Sequence, residues 1–414
     1  MSFYKSVLKD KKLLENVSFI AILQVFNIIA PLITYPYLVR VLGMDNYGII
    51  ITAQILVGYF SILILFGSDN VCAKHVSINR NQKDAVSRIY SAVLLSRAFL
   101  WLCGLGIYIL IVSLVPLYRN HFLLFLITYG LTFQDILFPQ YLFQGLEKMK
   151  FTTCVNIFTK VFFITLVFVF VKSSSDLLIV PILYTLGYLI SGVFSFLIVT
   201  KHLNIKLVPY DYSTIKLVLK DSLPIFASEL ILTIKDRFNI LIMGHYIGMA
   251  NVVVFDFALK IVNLLGKPAE VIRIALFPRA AKDRNIPQIK KVFFLILVLT
   301  FFLVIITNIF LPYLVDLFLT DTVDLLPIRL FSIAPIFIAS GAYISSNIFI
   351  ALGYNKYVLI SIVVTTICYL LSLLYVIITK RTTSVMSFMM VSLISYIVEF
   401  IYRVLKFQKV CRSN

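Results

Sequence analysis

The sequence predicts an all-α integral membrane protein with about 12 transmembrane helices in two six-helix bundles. Hydrophobic residues make up 61% of the 414 residues, and the mean hydropathy is +0.99. Soluble domains contain only roughly 45–50% apolar residues. Apolar runs of about 20 residues, each long enough to cross a bilayer, recur from end to end. The connections between these runs are short, so we expect any function to reside in the helices themselves.

Twelve apolar segments are expected to span the membrane. They cover residues 17–39, 47–68, 88–114, 121–143, 151–171, 177–200, 221–243, 250–273, 292–318, 323–351, 356–379 and 384–403. Pro31, Pro36 and Pro139 lie within two of them and are expected to kink helices, because proline lacks a backbone N–H donor. The first segment is longer than the apolar core of a signal peptide, so we expect it to remain as an anchor.

The distribution of basic residues predicts the orientation. The net charge is +18, which in a soluble protein would suggest nucleic-acid binding. Here most of the basic residues lie in short connections, where the positive-inside rule and anionic lipids would favour them. Counted on alternate connections, 24 Lys and Arg residues fall on one side and five on the other. We therefore expect both termini in the cytoplasm, with membrane lipids as partners and no nucleic acid.

Two short internal matches predict a duplication. Residues 42–46, LGMDN, reappear as IGMAN at 247–251, an offset of 205 between their glycines. Residues 145–148, GLEK, resemble GYNK at 353–356, an offset of 208. Because six is an even number of spans, the halves would keep the same orientation. We therefore predict bundles at 1–205 and 206–414, related by a pseudo-two-fold axis along the membrane normal.

Common catalytic and metal-binding patterns do not occur in the sequence. The five cysteines and four histidines are scattered singly, so neither a disulfide framework nor a metal site is indicated. The sequence contains no zinc-protease, nucleophile-elbow or nucleotide-binding motif. We expect no enzyme activity and no cofactor.

Charged residues within the spans are the candidate functional residues. Nine are basic and six are acidic: Arg40, Arg97, Asp135, Lys160, Glu229, Lys235, Asp236, Arg237, Asp256, Lys260, Lys267, Glu270, Arg273, Arg329 and Glu399. Such residues are costly in hydrocarbon unless they face water, a partner or a ligand. The excess of bases predicts a hydrated, net positive cavity.

Depth separates these residues further. Arg97 and Lys160 lie about nine residues into their spans, hence roughly 13 Å deep, which is near the limit of snorkelling. Lys260 is about equally deep from the opposite face. Arg40 lies near a helix end, where interfacial anchoring is an equally good interpretation. Asp236 and Arg237 could instead pair with neighbouring helices and have no substrate contact.

Several longer runs resemble a known family. These are LQVFNIIAPLITYPYLVRVLGMDNYGIIITAQ, SAVLLSR, FPQYLFQGLEKMKFTTCVNIFTK, KDRFNILIMGHYIGMANVVVFDFALKI and ALFPRAAK. They resemble the Wzx-type O-antigen flippases of the multidrug/oligosaccharidyl-lipid/polysaccharide exporter superfamily. The likeness extends over almost the whole chain.

The resemblance implies export of undecaprenyl-pyrophosphate-linked oligosaccharides across a bacterial inner membrane, by alternating access through a cationic lumen. By position it assigns lumen residues to Arg40, Arg97, Lys160, Asp236, Arg237 and Lys260. We add Arg329 as a substrate-binding cation from its place within a span. Asp135, Glu229, Asp236, Asp256 and Glu399 would bind a coupling ion or balance charge. Other polysaccharide assembly proteins are further expected partners.

Two other functions remain open from the sequence. A multidrug or cation antiporter of the same superfamily would be expected to carry a carboxylate-rich cavity, whereas the excess here is basic. A membrane-embedded polysaccharide polymerase would need a sizeable extracytoplasmic loop with catalytic residues. The longest loops are basic and are expected on the cytoplasmic side.

Overall fold

The computed structural model describes the backbone of residues 11–209, 211–283 and 286–413, and all but a few of their side chains. Throughout these ranges the regular structure is helical. In the first half the α-helices are α1 (Lys11–Leu42), α2 (Met44–Leu65), α3 (Ser68–Ile78), α4 (Lys83–Leu114), α5 (Pro116–Arg119), α6 (Phe122–Tyr129), α7 (Phe133–Leu137), α8 (Gln140–Gly145), α9 (Met149–Phe170) and α10 (Ile179–Leu197).

The second half consists mainly of long helices. They are α11 (Tyr212–Tyr246), α12 (Met249–Asp283), α13 (Ile286–Phe318), α14 (Leu325–Phe331), α15 (Ala334–Ile344), α16 (Asn355–Ile378) and α17 (Val385–Ser413). Short 3₁₀ turns occur at Gly130–Thr132 and Ser174–Leu178, and π-helical turns at Ile198–His202 and Ser345–Ile350.

The chain is an all-α membrane protein, as the sequence predicts. In the described part, eleven helical segments are long and apolar enough to cross a bilayer. The expected span at 221–243 falls on α11, whose 35 residues include Asp221, Glu229 and Arg237. These charges lower the hydropathy of α11, so the count of twelve stays a prediction.

The helices form two compact units. One comprises Met1–Asn46 with Thr52–Leu230, and the other comprises Tyr47–Ile51 with Ile231–Asn414. The division at Leu230 falls inside the continuous helix α11, and the expected boundary at residues 205 and 206 stays a prediction. Tyr47–Ile51, at the start of α2, belongs to the second unit because Gly48 lies directly against α12. A Cβ on Gly48 would come within 2.1 Å of the Met249 carbonyl oxygen.

Prolines act differently in different spans. The fourth expected span is broken into four pieces, and α7 ends just before Phe138 and Pro139. In contrast, α1 continues through Pro31 and Pro36 to Leu42. A helical backbone is strongly favoured in hydrocarbon, because a carbonyl released from the helix would find no water to accept a hydrogen bond from. The expected kink of α1 at these residues therefore does not end the helix.

The outward faces of the helices are apolar. Phe99, Leu114 and Phe294 are all at least 66% exposed, whereas serine and threonine side chains such as Thr132, Ser195 and Thr300 are buried. This arrangement inverts that of a soluble domain, because lipid solvates the exposed hydrophobic side chains. The core of the first unit includes Cys72, Tyr90 and Phe143, and that of the second includes Ile296, Tyr343 and Phe349.

Corresponding turns support the predicted duplication. Gly43 separates α1 from α2 with φ +80°, and Gly248 separates α11 from α12 with φ +86°. Glycine adopts such angles readily because it has no Cβ, whereas residues with a Cβ rarely do. The Asn46 amide donates to the Leu42 carbonyl at 3.1 Å, and that of Asn251 donates to the Ile247 carbonyl. Leu42 is the last residue of α1, and Ile247 directly follows the last residue of α11.

The turns at the second sequence match also have similar structures, but they correspond at an offset two residues smaller than that of the sequence match. The turn before α9 has a positive φ at Glu147, and the turn before α16 has it at Gly353, an offset of 206 and not 208. Lys148 N donates to Phe143 O at 2.8 Å, and Tyr354 N donates to Phe349 O at 2.6 Å, at the same offset. Thr159 and Thr365 likewise bond back to the carbonyl four residues earlier.

Candidate functional site

Arg97 is the centre of a buried polar cluster in the first unit. Only 1% of the residue is exposed, midway along α4. Its Nη2 donates to Asp69 Oδ1 at 2.7 Å and to Ser68 Oγ at 2.7 Å, and its Nη1 donates to the Asp135 carbonyl oxygen at 2.9 Å. The guanidinium also lies 5.3 Å from the centre of the Tyr141 ring. Protein groups therefore satisfy its charge and most of its donors.

The cluster joins two places where helices are interrupted. Ser68 and Asp69 begin α3 directly after Phe66 and Gly67, which have φ +48° and +66°. Asp135 and Tyr141 lie on either side of the break at Phe138 and Pro139. Backbone irregularities at membrane depth require internal partners for their freed polar groups. Arg97 supplies such a partner to both breaks, which indicates a positioning role within the first unit.

Asp135 provides an uncompensated acceptor in this cluster. The Ser61 hydroxyl donates to its carboxylate. Its buried Oδ2 has no hydrogen-bond partner in the described part of the chain. Asp69 and Asp135 together carry two carboxylates against the single charge of Arg97.

Lys160 lies in the same unit but is not part of this cluster. It is half-buried on α9, and among the described residues no carboxylate pairs with it. The contact of Lys160 with a substrate therefore stays a prediction.

Two charged pairs lie on helices of the second unit. Lys260 pairs with the buried Asp256 four residues earlier on α12, although the Lys260 side chain is 42% exposed. On α17, Arg403 pairs with Glu399 and donates from Nε to Ser361 Oγ at 3.1 Å. Both residues of the α17 pair are less than 10% exposed. Asp256 and Glu399 therefore already neutralise neighbouring bases.

A cavity of about 250 Å³ lies within the second unit. The polar residues that line it are Arg237 of α11, Asn263 of α12, and Tyr396, Glu399 and Arg403 of α17. Phe337 and aliphatic side chains complete the wall. Arg237 is exposed, and no carboxylate of the described residues pairs with it. The cavity is thus lined by one buried ion pair and by the guanidinium of Arg237.

The remaining predicted residues are dispersed. Arg40 is exposed in the last turn of α1, and Arg329 is exposed near the end of α14. Glu229 is half-buried on α11. The side chain of Asp236 lies outside the described residues. In the described ranges, His, Cys, Asp and Glu form no cluster of three or more that could hold a metal ion.

Sequence reasoning missed three residues of these clusters. The expected spans end at Ser68 and at Arg403 and assign no role to either residue, and Asp69 falls in the connection that follows Ser68. The signal for Ser68 and Asp69 is weak, because a partner 28 or 29 residues away is not visible in a periodic pattern. Arg403 lies four residues after Glu399, a spacing that did indicate a pair on one helix. The Gly67 next to Ser68 was the available clue, since glycine inside an apolar segment often marks an interruption.

Comparisons with known proteins agree with this architecture. The profile of the family described as "Polysaccharide biosynthesis protein" matches residues 13–283. A "Putative O-antigen transporter" of Escherichia coli (strain K12) is 28% identical over 286 residues, which cover 69% of each chain. Another "Putative O-antigen transporter", from Shigella dysenteriae, is 26% identical and covers 65% of this chain and 67% of its own.

A solved structure described as "Lipid II flippase MurJ, inward closed conformation" has a TM-score of 0.71 at 14% identity. The match covers 95% of this chain and 87% of the other. An inward-facing multidrug resistance MATE family transporter of the MOP superfamily has a TM-score of 0.67, also at 14% identity. That match covers 93% of this chain and 96% of the other. Both TM-scores show that this chain shares the fold of these two structures, and at 14% identity the likeness extends to the fold alone.

Proposed function

Because the chain belongs to the polysaccharide biosynthesis protein family, we propose that it is a flippase for a lipid-linked oligosaccharide. The proposed substrate is an undecaprenyl-pyrophosphate-linked repeat unit of O-antigen or capsule. It would move from the cytoplasmic to the periplasmic leaflet of a bacterial inner membrane. Relatives named putative O-antigen transporters support this assignment.

The diphosphate headgroup presents the main energetic barrier to such a substrate. Moving an isolated ionised group into a medium of low dielectric costs on the order of tens of kcal/mol by Born solvation. Fixed guanidinium and ammonium groups lower this barrier through charge-assisted hydrogen bonds to phosphate oxygens. The prenyl tail can remain in lipid throughout. A flippase therefore needs cations that are not already neutralised by the protein.

The observation that carries the proposal is the position of Arg237 at the cavity of the second unit. Its guanidinium has no carboxylate partner among the described residues, whereas Arg403 on the same cavity is held by Glu399. Small-molecule pockets are typically about 300–1,000 Å³. At about 250 Å³, the cavity suits a headgroup better than a chain of several sugars.

The other predicted cations divide into two groups by their partners. Lys160 and Arg329 have no carboxylate partner in the described part of the chain and are proposed to contact the substrate along its path. Arg97 and Lys260 are paired with Asp69 and Asp256. We propose that Arg97 positions the interrupted helices, while the exposed ammonium of Lys260 can exchange its partner for phosphate. Arg40 would act at the end of α1.

Alternating access completes the proposed mechanism. Helix interruptions at Gly67 and Pro139 are suited to absorb a change of backbone angle, because they already lack regular helical hydrogen bonds. Among the acidic residues, Asp135 is the best candidate to bind a coupling ion, since its Oδ2 has no partner. Glu229 and Asp236 are further candidates, and Asp256 and Glu399 would balance charge.

Reconstituted liposomes provide the test. A fluorescent undecaprenyl-diphosphate oligosaccharide would be placed in the inner leaflet. Its transfer to the outer leaflet would be measured with a membrane-impermeant quencher. We expect Arg237→Ala to slow translocation roughly 10- to 100-fold, since a hydrogen bond to a charged group contributes about 1.5–3 kcal/mol. Arg381→Ala, which alters an exposed connection, is the matched control. Equal rates for Arg237→Ala and the unmodified protein would contradict the role of the cavity.

The same liposomes distinguish a multidrug or cation antiporter. The cavity carboxylate Glu399 is engaged by Arg403, and Asp256 is engaged by Lys260, which disfavours a site for an organic cation. Uptake of a cationic dye driven by an ion gradient, with no movement of the lipid-linked oligosaccharide, would replace the proposed function by antiport.

A further inference from the structure

One end of the α16–α17 pair in the second unit carries a cluster of lysines and tyrosines. α16 begins there and α17 approaches its end, and the two helices pack against each other. Lys356 Nζ lies 5.4 Å from the centre of the Tyr357 ring, and Lys406 Nζ lies 5.7 Å from the centre of the same ring. Lys406 Nζ is also 5.5 Å from the centre of the Tyr402 ring.

Among the described residues, neither Lys356 nor Lys406 has a carboxylate partner. Glu399, the nearest acidic residue of α17 in sequence, is held by Arg403. Two positive charges on one aromatic ring repel each other, and the repulsion is relieved when an anion binds between or beside them. The ring attracts both cations and keeps them at one place.

The corresponding turn of the first unit differs in a way that bears on ligand binding. At the start of α9, Met149 N donates to Asn16 Oδ1 at 3.0 Å, and the Asn16 amide donates to the Glu147 carbonyl at 3.0 Å. The equivalent residue at the start of α16 is Asn355, whose N–H has no such acceptor in the described part of the chain. The first turn of this 24-residue helix is thus open to an anion, which its dipole would favour.

An apolar stripe leads away from the cluster. Leu359 follows Lys356 by three residues and is 66% exposed, and Leu405 beside Lys406 is 59% exposed. The exposed side chains Val363, Ile367 and Leu371 continue the α16 face at helical spacing. The surface therefore offers cations and aromatic rings at one end and a hydrophobic track for an acyl chain along the helix.

We propose that this surface binds an anionic phospholipid, with its phosphodiester between Lys356 and Lys406 and one acyl chain along α16. Basic and aromatic side chains at the end of a span match the chemistry of an anionic leaflet surface. The distribution of basic residues predicts that this leaflet is the cytoplasmic one. A soluble phosphate would share the headgroup contacts but would not use the stripe.

The test uses the full chain in nanodiscs of phosphatidylcholine that contain a trace of spin-labelled phosphatidylglycerol. The fraction of immobilised label measures binding to the protein. We expect the double variant Lys356→Gln/Lys406→Gln to weaken the selectivity for phosphatidylglycerol roughly 30-fold, about fivefold for each lysine. The control is Lys380→Gln/Arg381→Gln, which removes two charges at the opposite end of the same helices.

Four outcomes decide the proposal. Retained selectivity in the double variant would overturn it, and so would an equal loss in the control. Competition by inorganic phosphate as strong as that by unlabelled phosphatidylglycerol would show that the stripe is not used, and would also overturn it. Stronger competition by undecaprenyl diphosphate than by phosphatidylglycerol would assign the surface to the transport substrate instead. Since no translocation is measured, the result is independent of the proposed function.

Discussion

Arg97 Nη2 lies 2.7 Å from Asp69 Oδ1, and the Arg97 side chain is only 2% exposed. Breaking a buried ion pair by removing one partner typically costs about 3–5 kcal/mol, because the other charge is left uncompensated. The Asp69 side chain is 30% exposed, which favours the lower end of this range.

We therefore expect Arg97→Met to lower the free energy of unfolding by about 3 kcal/mol. The measurement is the midpoint of thermal unfolding in detergent. Arg97→Met/Asp69→Leu should recover part of the loss, since it removes both charges. If the double variant is no more stable than the single one, the ion pair is not the reason for the effect.

Gly130 and Gly106 form a matched pair for a packing prediction. A Cβ on Gly130 would lie 2.4 Å from Thr185 Cγ2, whereas one on Gly106 would meet no atom within 4 Å. Gly130→Ala should destabilise the protein by about 1–3 kcal/mol, as overpacking does. Gly106→Ala should stabilise α4 by about 0.5–1 kcal/mol, since glycine is unfavourable inside a helix. Opposite shifts of the thermal midpoint would agree with the structure, and equal shifts would contradict it.

Asn46 and Asn251 test the duplication. Each amide bonds to the carbonyl four residues earlier, across a turn with a glycine at positive φ. Loss of either bond should cost about 1 kcal/mol. Asn46→Ala and Asn251→Ala are thus expected to lower stability by similar amounts, measured by thermal unfolding. Effects that differ by more than about 1 kcal/mol would show that the two turns no longer have the same role.

The orientation can be tested with single cysteines. In a variant without native cysteines, Asn204→Cys and Thr383→Cys place a thiol in two exposed connections. The positive-inside rule predicts that the first faces the cytoplasm and the second the periplasm. A membrane-impermeant maleimide, given access to the periplasm of whole cells, should label only Thr383→Cys. Labelling of Asn204→Cys alone would reverse the topology.

The fold could be predicted from the sequence because a span needs only length and hydropathy. The interruption at Pro139 was also predictable, as its ring cannot continue a helical ladder. The duplication stays a prediction, and the offset of 208 that the second match gives is wrong by two residues, since the turns correspond at an offset of 206. The match of Gly145 with Gly353 was misleading, since the turn of the first half places its positive φ at Glu147, a residue that gives no sign of this angle.

The candidate site was less accessible. Charged residues are easy to recognise within an apolar span. The resemblance to a family of polysaccharide transport proteins is confirmed by the family match. Which charges are paired is a matter of tertiary structure. Asp69 and Arg97 lie on different helices, so no spacing within one helix predicts their pairing. By contrast, Glu399 and Arg403 are four residues apart on α17, a spacing that brings side chains together on any helix.

The contact of Gly48 with Met249 also limits when α2, the second helix of the chain, can complete its packing. The two residues are 201 positions apart (249 minus 48), yet they lie in one compact unit. At a synthesis rate of about 5–20 residues per second, Gly48 leaves the ribosome roughly 10–40 s before its neighbour. During that interval, α2 is inserted with its first turn unpacked. A chaperone or insertase that shields this turn would raise the yield of folded protein, and a ribosome stalled before residue 249 would leave the turn exposed to proteases.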